Sequence, residues 1–323
     1  LFLTCEFIVS NCIAACIVLS ACRPCGSQYT PISSAIMKGL ILAAGYGSRF
    51  LPASKTVPKE MFPLIDRPSI QFIVDEFVEA GITEILIVTS RRKKSLEDYF
   101  DREVELESVF QKDGATGKLD LAAPPQVQVM FVRQQEMMGT GHALLQARSY
   151  MGNEPFVVAY PDDLFPGTPG LSRVLVNAHE RTGASVLASI YDPPELHRYG
   201  VLSLGSDELH VSGIVEKPAP GTEPSRHASV GRYLFTPDIF AYLEEGWQRH
   251  RDSGHSGEYY HIYALTQLMN RNQVVHQTSE VPRLDTGSPS GYLEAILRYA
   301  HSRPDLRPVM ERVAHELLAG DSD

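Results

Sequence analysis

The sequence predicts an α/β fold, a mixed and largely parallel sheet flanked by helices. Two observations carry the prediction. From Met37 onward, short apolar runs alternate with segments of helical period. Beyond residue 195 the apolar runs come closer together, which adds strands without intervening helices.

The elements follow in order. Residues 38–43 form an apolar run that ends in a loop rich in glycine and proline. Ile70, Ile73, Val74, Phe77 and Val78 recur at helical spacing, and Gly81 closes that helix. Residues 84–89 read as the next strand, with further strands at 127–133, 156–160 and 185–190. Helices are predicted near 142–149 and 171–181. The polar stretch 111–125 contains glycine and proline and reads as a long surface loop. Strands at 201–204, 211–216 and 230–235 come next. Helices follow near 237–245 and 260–269, with two more at 288–299 and 309–318. No linker divides this body, so residues 37–323 read as one domain. Its first part is about 37–190 and its second, ending in helices, about 191–323.

Composition narrows the function. The 323 residues carry 29 Lys and Arg against 39 Asp and Glu, a formal net charge of −10. That balance argues against a broad electrostatic nucleic-acid binder. All five cysteines, Cys5, Cys12, Cys16, Cys22 and Cys25, precede residue 26. The body therefore has no disulfide framework, thiolate metal site or cysteine nucleophile. Residues 1–36 read as a mis-assigned start or a dispensable extension, with Met37 directly before the first strand. A membrane anchor, or a lipoprotein box at Leu19-Ser20-Ala21-Cys22, are the other readings.

The first chemical signal is the loop Ala43-Ala44-Gly45-Tyr46-Gly47-Ser48-Arg49-Phe50 after the first strand. Small residues there let backbone N–H groups approach a phosphate. No Gly-Lys-Ser/Thr follows, so the loop is not a P-loop, and Phe50 takes the third glycine's place in the dinucleotide fingerprint. Arg49, Lys55 and Lys59 follow within a few residues, a gathering of cations that suits a polyphosphate.

Gly45-x-Gly47-Ser48-Arg49 followed by Pro58-Lys59-Glu60-Met61 resembles the signature of the sugar-1-phosphate nucleotidyltransferases. The wording around Leu51-Pro52-Ala53-Ser54-Lys55 is similar to that of the bacterial UTP–glucose-1-phosphate uridylyltransferases. The resemblance covers nearly all the body, to about residue 300. It implies a Rossmann-like sheet of the nucleotide-diphospho-sugar transferase type, and it assigns roles. Ala43, Ala44, Gly45 and Gly47 would bind the nucleotide. Gln134 would read the pyrimidine edge, for which an amide offers both donor and acceptor, and Gly139 would lie against the base. Asp162 in Tyr160-Pro161-Asp162-Asp163 and Asp285 in Leu284-Asp285-Thr286-Gly287 would hold Mg²⁺. Gly200, Val201, Glu216, Lys217 and Gly231 would hold the sugar phosphate.

The implied reaction is in-line attack of glucose 1-phosphate on the α-phosphorus of UTP, giving UDP-glucose and pyrophosphate. Arg49 and Lys59 would hold the pyrophosphate, and Lys217 would steer the attacking phosphate. The base stays open between uracil and thymine, and a non-catalytic regulatory paralogue is the reading from another class. The resemblance also implies a cytoplasmic homodimer or homotetramer with no nucleic-acid or membrane partner.

The sequence departs from the family's Gly-Glu-x-x-Leu-Thr-Asp, with Gly257-Glu258-Tyr259-Tyr260-His261-Ile262-Tyr263 in its place. This bears on local sugar contacts or on a subunit contact.

Overall fold

The computed structural model describes residues 37–254 and 256–320, and these belong to one compact unit. The readings offered for residues 1–36 lie outside the described residues.

The chain opens with β1 (Lys38–Leu42), three short 3₁₀ turns, and the small hairpin β2 (Pro63–Leu64) and β3 (Arg67–Pro68). Then come α1 (Ser69–Glu79), β4 (Glu84–Thr89), α2 (Lys94–Phe100), α3 (Val104–Lys112), α4 (Thr116–Ala122) and β5 (Gln128–Arg133). Next are α5 (Thr140–Met151), β6 (Phe156–Ala159), β7 (Asp163–Leu164), α6 (Leu171–Thr182) and β8 (Ser185–Tyr191). The second half holds β9 (Gly200–Leu204), β10 (Val211–Glu216), β11 (His227–Phe235), α7 (Ile239–Asp252) and α8 (Ile262–Met269). It ends with β12 (Val274–Thr278), β13 (Leu284–Asp285), α9 (Pro289–Ser302) and α10 (Arg307–Gly320).

Among the described residues, nine strands make the main sheet, along the path β10-β9-β11-β6-β1-β4-β5, with β8 joining β11 to β12. The pairs β1–β4, β1–β6, β4–β5 and β8–β12 are parallel. β11 runs antiparallel to β6, β8 and β9, and β9 antiparallel to β10. The sheet is mixed and bears helices on both faces, as the alternation of runs predicts.

The core divides across the sheet. In β1, Leu40 and Ile41 point to opposite faces because side chains alternate along a strand. Ile41 joins the core beneath α1 and α6, with Ile70, Ile73, Phe77 and Leu175. Leu40 joins the other, beneath α5, α7 and α8, with Leu144, Phe240 and Leu265. Gly39 is small for a packing reason: a Cβ there would lie 2.5 Å from the Phe77 ring. The stripe on α1 is narrower than its spacing implies. Val78 lies about 80° around the helix from Ile70 at ~100° per residue, and it is exposed.

One expectation is corrected. The stretch 111–125 is not a long loop, because the end of α3 and all of α4 occupy most of it. Neither helix buries a residue, and the polar, Gly- and Pro-containing composition of 111–125 hid α4. α2 and β12 also escaped the sequence reading.

Candidate active site

The glycine loop follows β1, Gln134 follows β5 and Asp162 follows β6, at the carboxyl ends of parallel strands, where α/β sheets place ligands. β1 ends in the loop 43–50. Gly47 takes φ 67°, a left-handed conformation suited to glycine, and its carbonyl accepts the Ser54 hydroxyl at 2.8 Å. A Cβ on Gly45 would meet nothing within 4 Å, so that stretch of backbone faces open space. Ala43 and Ala44 are buried behind it. Phe50 packs edge-on against Phe62 and Tyr292, with centroids at 5.2 and 5.8 Å, and so ties the loop to α9.

Two carboxylates from distant parts of the chain converge. β13 pairs with β7, setting Asp285 opposite Asp163. The Thr286 N–H donates to the Asp162 carbonyl at 2.8 Å. A Cβ built on Gly287 would lie 2.9 Å from Asp162 Oδ2 and 3.1 Å from Asp285 Oδ1. Both oxygens thus border one small space that only glycine leaves open. The residues present fit a divalent cation, since Mg²⁺ takes one or two carboxylates and completes its shell with phosphate oxygens and water.

Cations surround that space. The Lys59 ammonium sits 2.6 Å from Asp162 Oδ2. Burial alone would raise the Asp162 carboxyl, but Lys59 outweighs it and the group titrates below the usual carboxylate range. Lys59 is raised in turn, its burial outweighed by Asp162. Arg49 donates to the Gly287 carbonyl at 3.3 Å, which joins the glycine loop to the Asp285 turn.

Arg283 is a site residue that the sequence reading missed. Its Nε donates to Asp163 Oδ1 at 2.6 Å, and its Nη1 lies 3.7 Å from Asp285 Oδ2. The signal was available: Arg283 and Asp285 are two apart in an extended segment and share a face. Asp163 also accepts the Gly231 N–H at 2.7 Å; burial raises its carboxyl, with Arg283 opposing. A Cβ on Gly231 would approach Asp163 Oδ2 to 2.6 Å, so interior packing already demands glycine there.

The sugar-phosphate candidates meet across β9 and β10. Glu216 pairs in register with Gly200, and a Cβ on Gly200 would lie 2.8 Å from Glu216 Oε1. Val201 is buried. Lys217 is exposed, with φ 46°, and its N–H donates to the Tyr199 carbonyl at 3.0 Å. The Tyr199 hydroxyl accepts from Arg283 Nη1 at 3.4 Å, linking this group to the carboxylates. A cavity of about 880 Å³ borders Tyr199, Arg283 and Asp285.

Gln134 is buried after β5, and its Nε2 donates to the Gly139 carbonyl at 3.1 Å. Gly139 has φ 89°, and a Cβ there would approach the Tyr259 carbonyl to 2.6 Å. The departing segment therefore packs on the base loop. Tyr259 donates its N–H to the Met138 carbonyl at 2.7 Å and accepts from Gly141 at 3.0 Å. His261 Nδ1 and Thr140 Oγ1 are 2.9 Å apart.

Comparison with known proteins identifies the chain's relatives. The family model described as nucleotidyl transferase matches residues 38–302. A UTP–glucose-1-phosphate uridylyltransferase of Bacillus subtilis is 40% identical over 287 residues, covering 85% of this chain and 96% of the relative. UTP–glucose-1-phosphate uridylyltransferase 2 of Staphylococcus saprophyticus is 40% identical over 271 residues, covering 82% and 92%. Among solved structures, a UTP-bound UGPase from Acinetobacter baumannii superposes with a TM-score of 0.78 at 33% identity, over 87% of this chain and 99% of that one. A UDP-glucose pyrophosphorylase complexed with UDP-glucose gives 0.70 at 35%, over 83% and 100%. Matched over residues 38–302 and 40% identical to a relative over most of both lengths, the chain belongs to the nucleotidyl transferase family.

Proposed function

We propose that this protein transfers a uridylyl group from UTP to α-D-glucose 1-phosphate, forming UDP-glucose and pyrophosphate. The observation that carries the reading is the convergence of Asp162, Asp285, Lys59 and Arg49 on the Gly287 turn. The relatives named for this activity, aligned over most of their length, support the choice of substrates.

A sugar-phosphate oxygen attacks the α-phosphorus of UTP. The bond from that phosphorus to the bridging oxygen breaks, and pyrophosphate departs with the electron pair. The nucleophile is already anionic, so the chain positions groups and neutralises charge rather than abstracting a proton. Asp162 and Asp285 would hold Mg²⁺, which would supply charge neutralisation at the reacting phosphates. Lys59 and Arg49 hold the departing pyrophosphate. Lys217 draws the sugar phosphate toward the α-phosphorus, and Glu216 accepts hydrogen bonds from sugar hydroxyls. The 43–47 loop and Gln134 hold the nucleotide, so residues 37–190 serve UTP and 191–323 serve the sugar phosphate. UTP is a cytoplasmic metabolite, and we place the protein in the cytoplasm. No helix among the described residues is long and apolar enough to cross a membrane. A homodimer or homotetramer is proposed from the family resemblance.

The test is pyrophosphate release by residues 37–323 and by the full chain, with Mg²⁺. UTP, dTTP, ATP, CTP and GTP are each paired with glucose, galactose and N-acetylglucosamine 1-phosphates. Preference for UTP with glucose 1-phosphate is expected; preference for dTTP overturns the base assignment. Asp162→Asn should fold and lose its Mg²⁺-dependent turnover. Unchanged metal dependence removes Asp162 from the site.

A further inference from the structure

Lys93 and Glu60 form an ion pair to which the family signature assigns no role. Lys93 Nζ lies 2.7 Å from Glu60 Oε1. Lys93 is 5% exposed and Glu60 is 2% exposed. Burying two charges is expensive, and such a pair adds little stability over apolar residues of similar size. This pair carries a further cost, because Glu60 Oε2 is buried with no hydrogen-bond partner. Stability does not explain its presence; position does.

Glu60 directly follows Lys59 in the short turn Lys59–Met61. That turn is held at several points. The Met61 N–H donates to the Pro58 carbonyl at 2.9 Å, and the Phe62 N–H to the Lys59 carbonyl at 3.1 Å. The Ser69 hydroxyl, at the start of α1, donates to the Glu60 carbonyl at 3.0 Å. The Glu60 side chain is also held by Lys93, in the turn between β4 and α2. The next side chain in line is Lys59, 2.6 Å from Asp162. Charges alternate along the series Lys93, Glu60, Lys59, Asp162.

We propose that Lys93, acting through Glu60, is a positioning residue that fixes the turn presenting the Lys59 ammonium to Asp162 and to the nucleotide's phosphates. The proposal rests on the uridylyl-transfer reading for the role of Lys59. It assigns Lys93 no contact with substrate.

Lys93→Met alone strands a buried carboxylate, so the test removes both charges in Glu60→Gln/Lys93→Met. A cycle compares the unaltered chain, this double variant, Lys59→Ala and the triple variant. The double variant should fold and lose about 10- to 100-fold in kcat, the scale of a small misplacement. In the Lys59→Ala background the same two changes should cost less than about twofold, because a group acting through Lys59 has nothing left to position. Lys93→Arg, which keeps the charge, should retain more turnover than the double variant. Full kcat in the double variant, losses that multiply in the triple variant, or a double variant that does not fold each overturns the proposal. UTP affinity, measured by equilibrium dialysis on the same four proteins, separates the two ideas. If the unaltered chain turns over no substrate pair, the activity reading fails and the affinity cycle decides. Weakened UTP binding that vanishes as an effect in the Lys59→Ala background supports positioning, and unchanged binding overturns it.

Discussion

Lys217 is a lysine with φ 46°, a backbone conformation that costs a non-glycine residue free energy and that gathers at ligand sites. It follows Glu216 at the end of β10, and its side chain is exposed. Lys217→Ala should lower kcat/KM by about 10²–10³-fold, the scale of one charge-stabilising group. Lys217→Gly should lose as much although it relieves the backbone, so steady-state kinetics on both separates charge from strain. His261 makes a different statement. Burial holds its ring at about 4, below its ordinary 6.5. A depressed pKa in the folded chain means that unfolding takes up a proton as acid is added. The contribution of the neutral ring is present above about pH 6.5 and is lost as pH falls toward 4, on the order of 3 kcal/mol. His261→Leu should flatten that part of the profile of melting temperature against pH. At this scale the sequence was eloquent where a motif is contiguous: Lys59, Asp162, Glu216 and Lys217 stand in recognisable words. It was silent on Lys93, because nothing near residue 93 names a partner 33 positions away.

At the scale of elements, one buried pair ties several together. Arg232 of β11 meets Glu76 of α1 through two hydrogen bonds, at 2.9 and 2.8 Å, and is wholly buried. Glu76 also accepts the Ser172 N–H of α6 at 2.8 Å, and Arg232 reaches the Asp163 carbonyl of β7 at 3.3 Å. Glu76→Gln leaves the arginine charge buried and unpaired and should cost about 3–5 kcal/mol, read by chemical denaturation. Replacing both by apolar residues of similar volume should cost less, since no orphan charge remains. The sequence showed α1 and β11 as elements because apolar periodicity marks them. It could not show that Arg232 and Glu76, each a polar break in an apolar pattern, answer one another. α3 and α4 went unread for a different reason: both are short, neither buries a residue, and Gly114, Gly117, Pro124 and Pro125 mark 111–125 as a loop.

Across the whole molecule, the sheet's order was less legible than its class. Alternating runs predict parallel strands with crossover helices. They do not predict that β11 inserts antiparallel beside β6 and carries β8 and β9 as well. Such pairings are settled by packing over long separations. Association belongs to this scale too. Leu293 and Leu297 on α9, and Leu317 and Leu318 on α10, are exposed apolar side chains on the last two helices. Sedimentation velocity should report a dimer or tetramer; Leu293→Glu/Leu297→Glu should shift it to monomer if α9 forms the contact.

The pairing of β13 with β7 has a consequence in time. Asp162 and Asp285 border one space, yet the ribosome adds them well over a hundred residues apart. A nascent chain emerged as far as α8 already holds the glycine loop, Lys59 and the first carboxylate. It lacks Arg283, which neutralises Asp163, and it lacks the second carboxylate. The unfinished polypeptide can bury most of its core before it can assemble a complete centre for chemistry. The site's last segment arrives late in synthesis, when a two-residue ladder sets Asp285 opposite Asp163. A chain cut short before that ladder should therefore release no pyrophosphate from nucleotide.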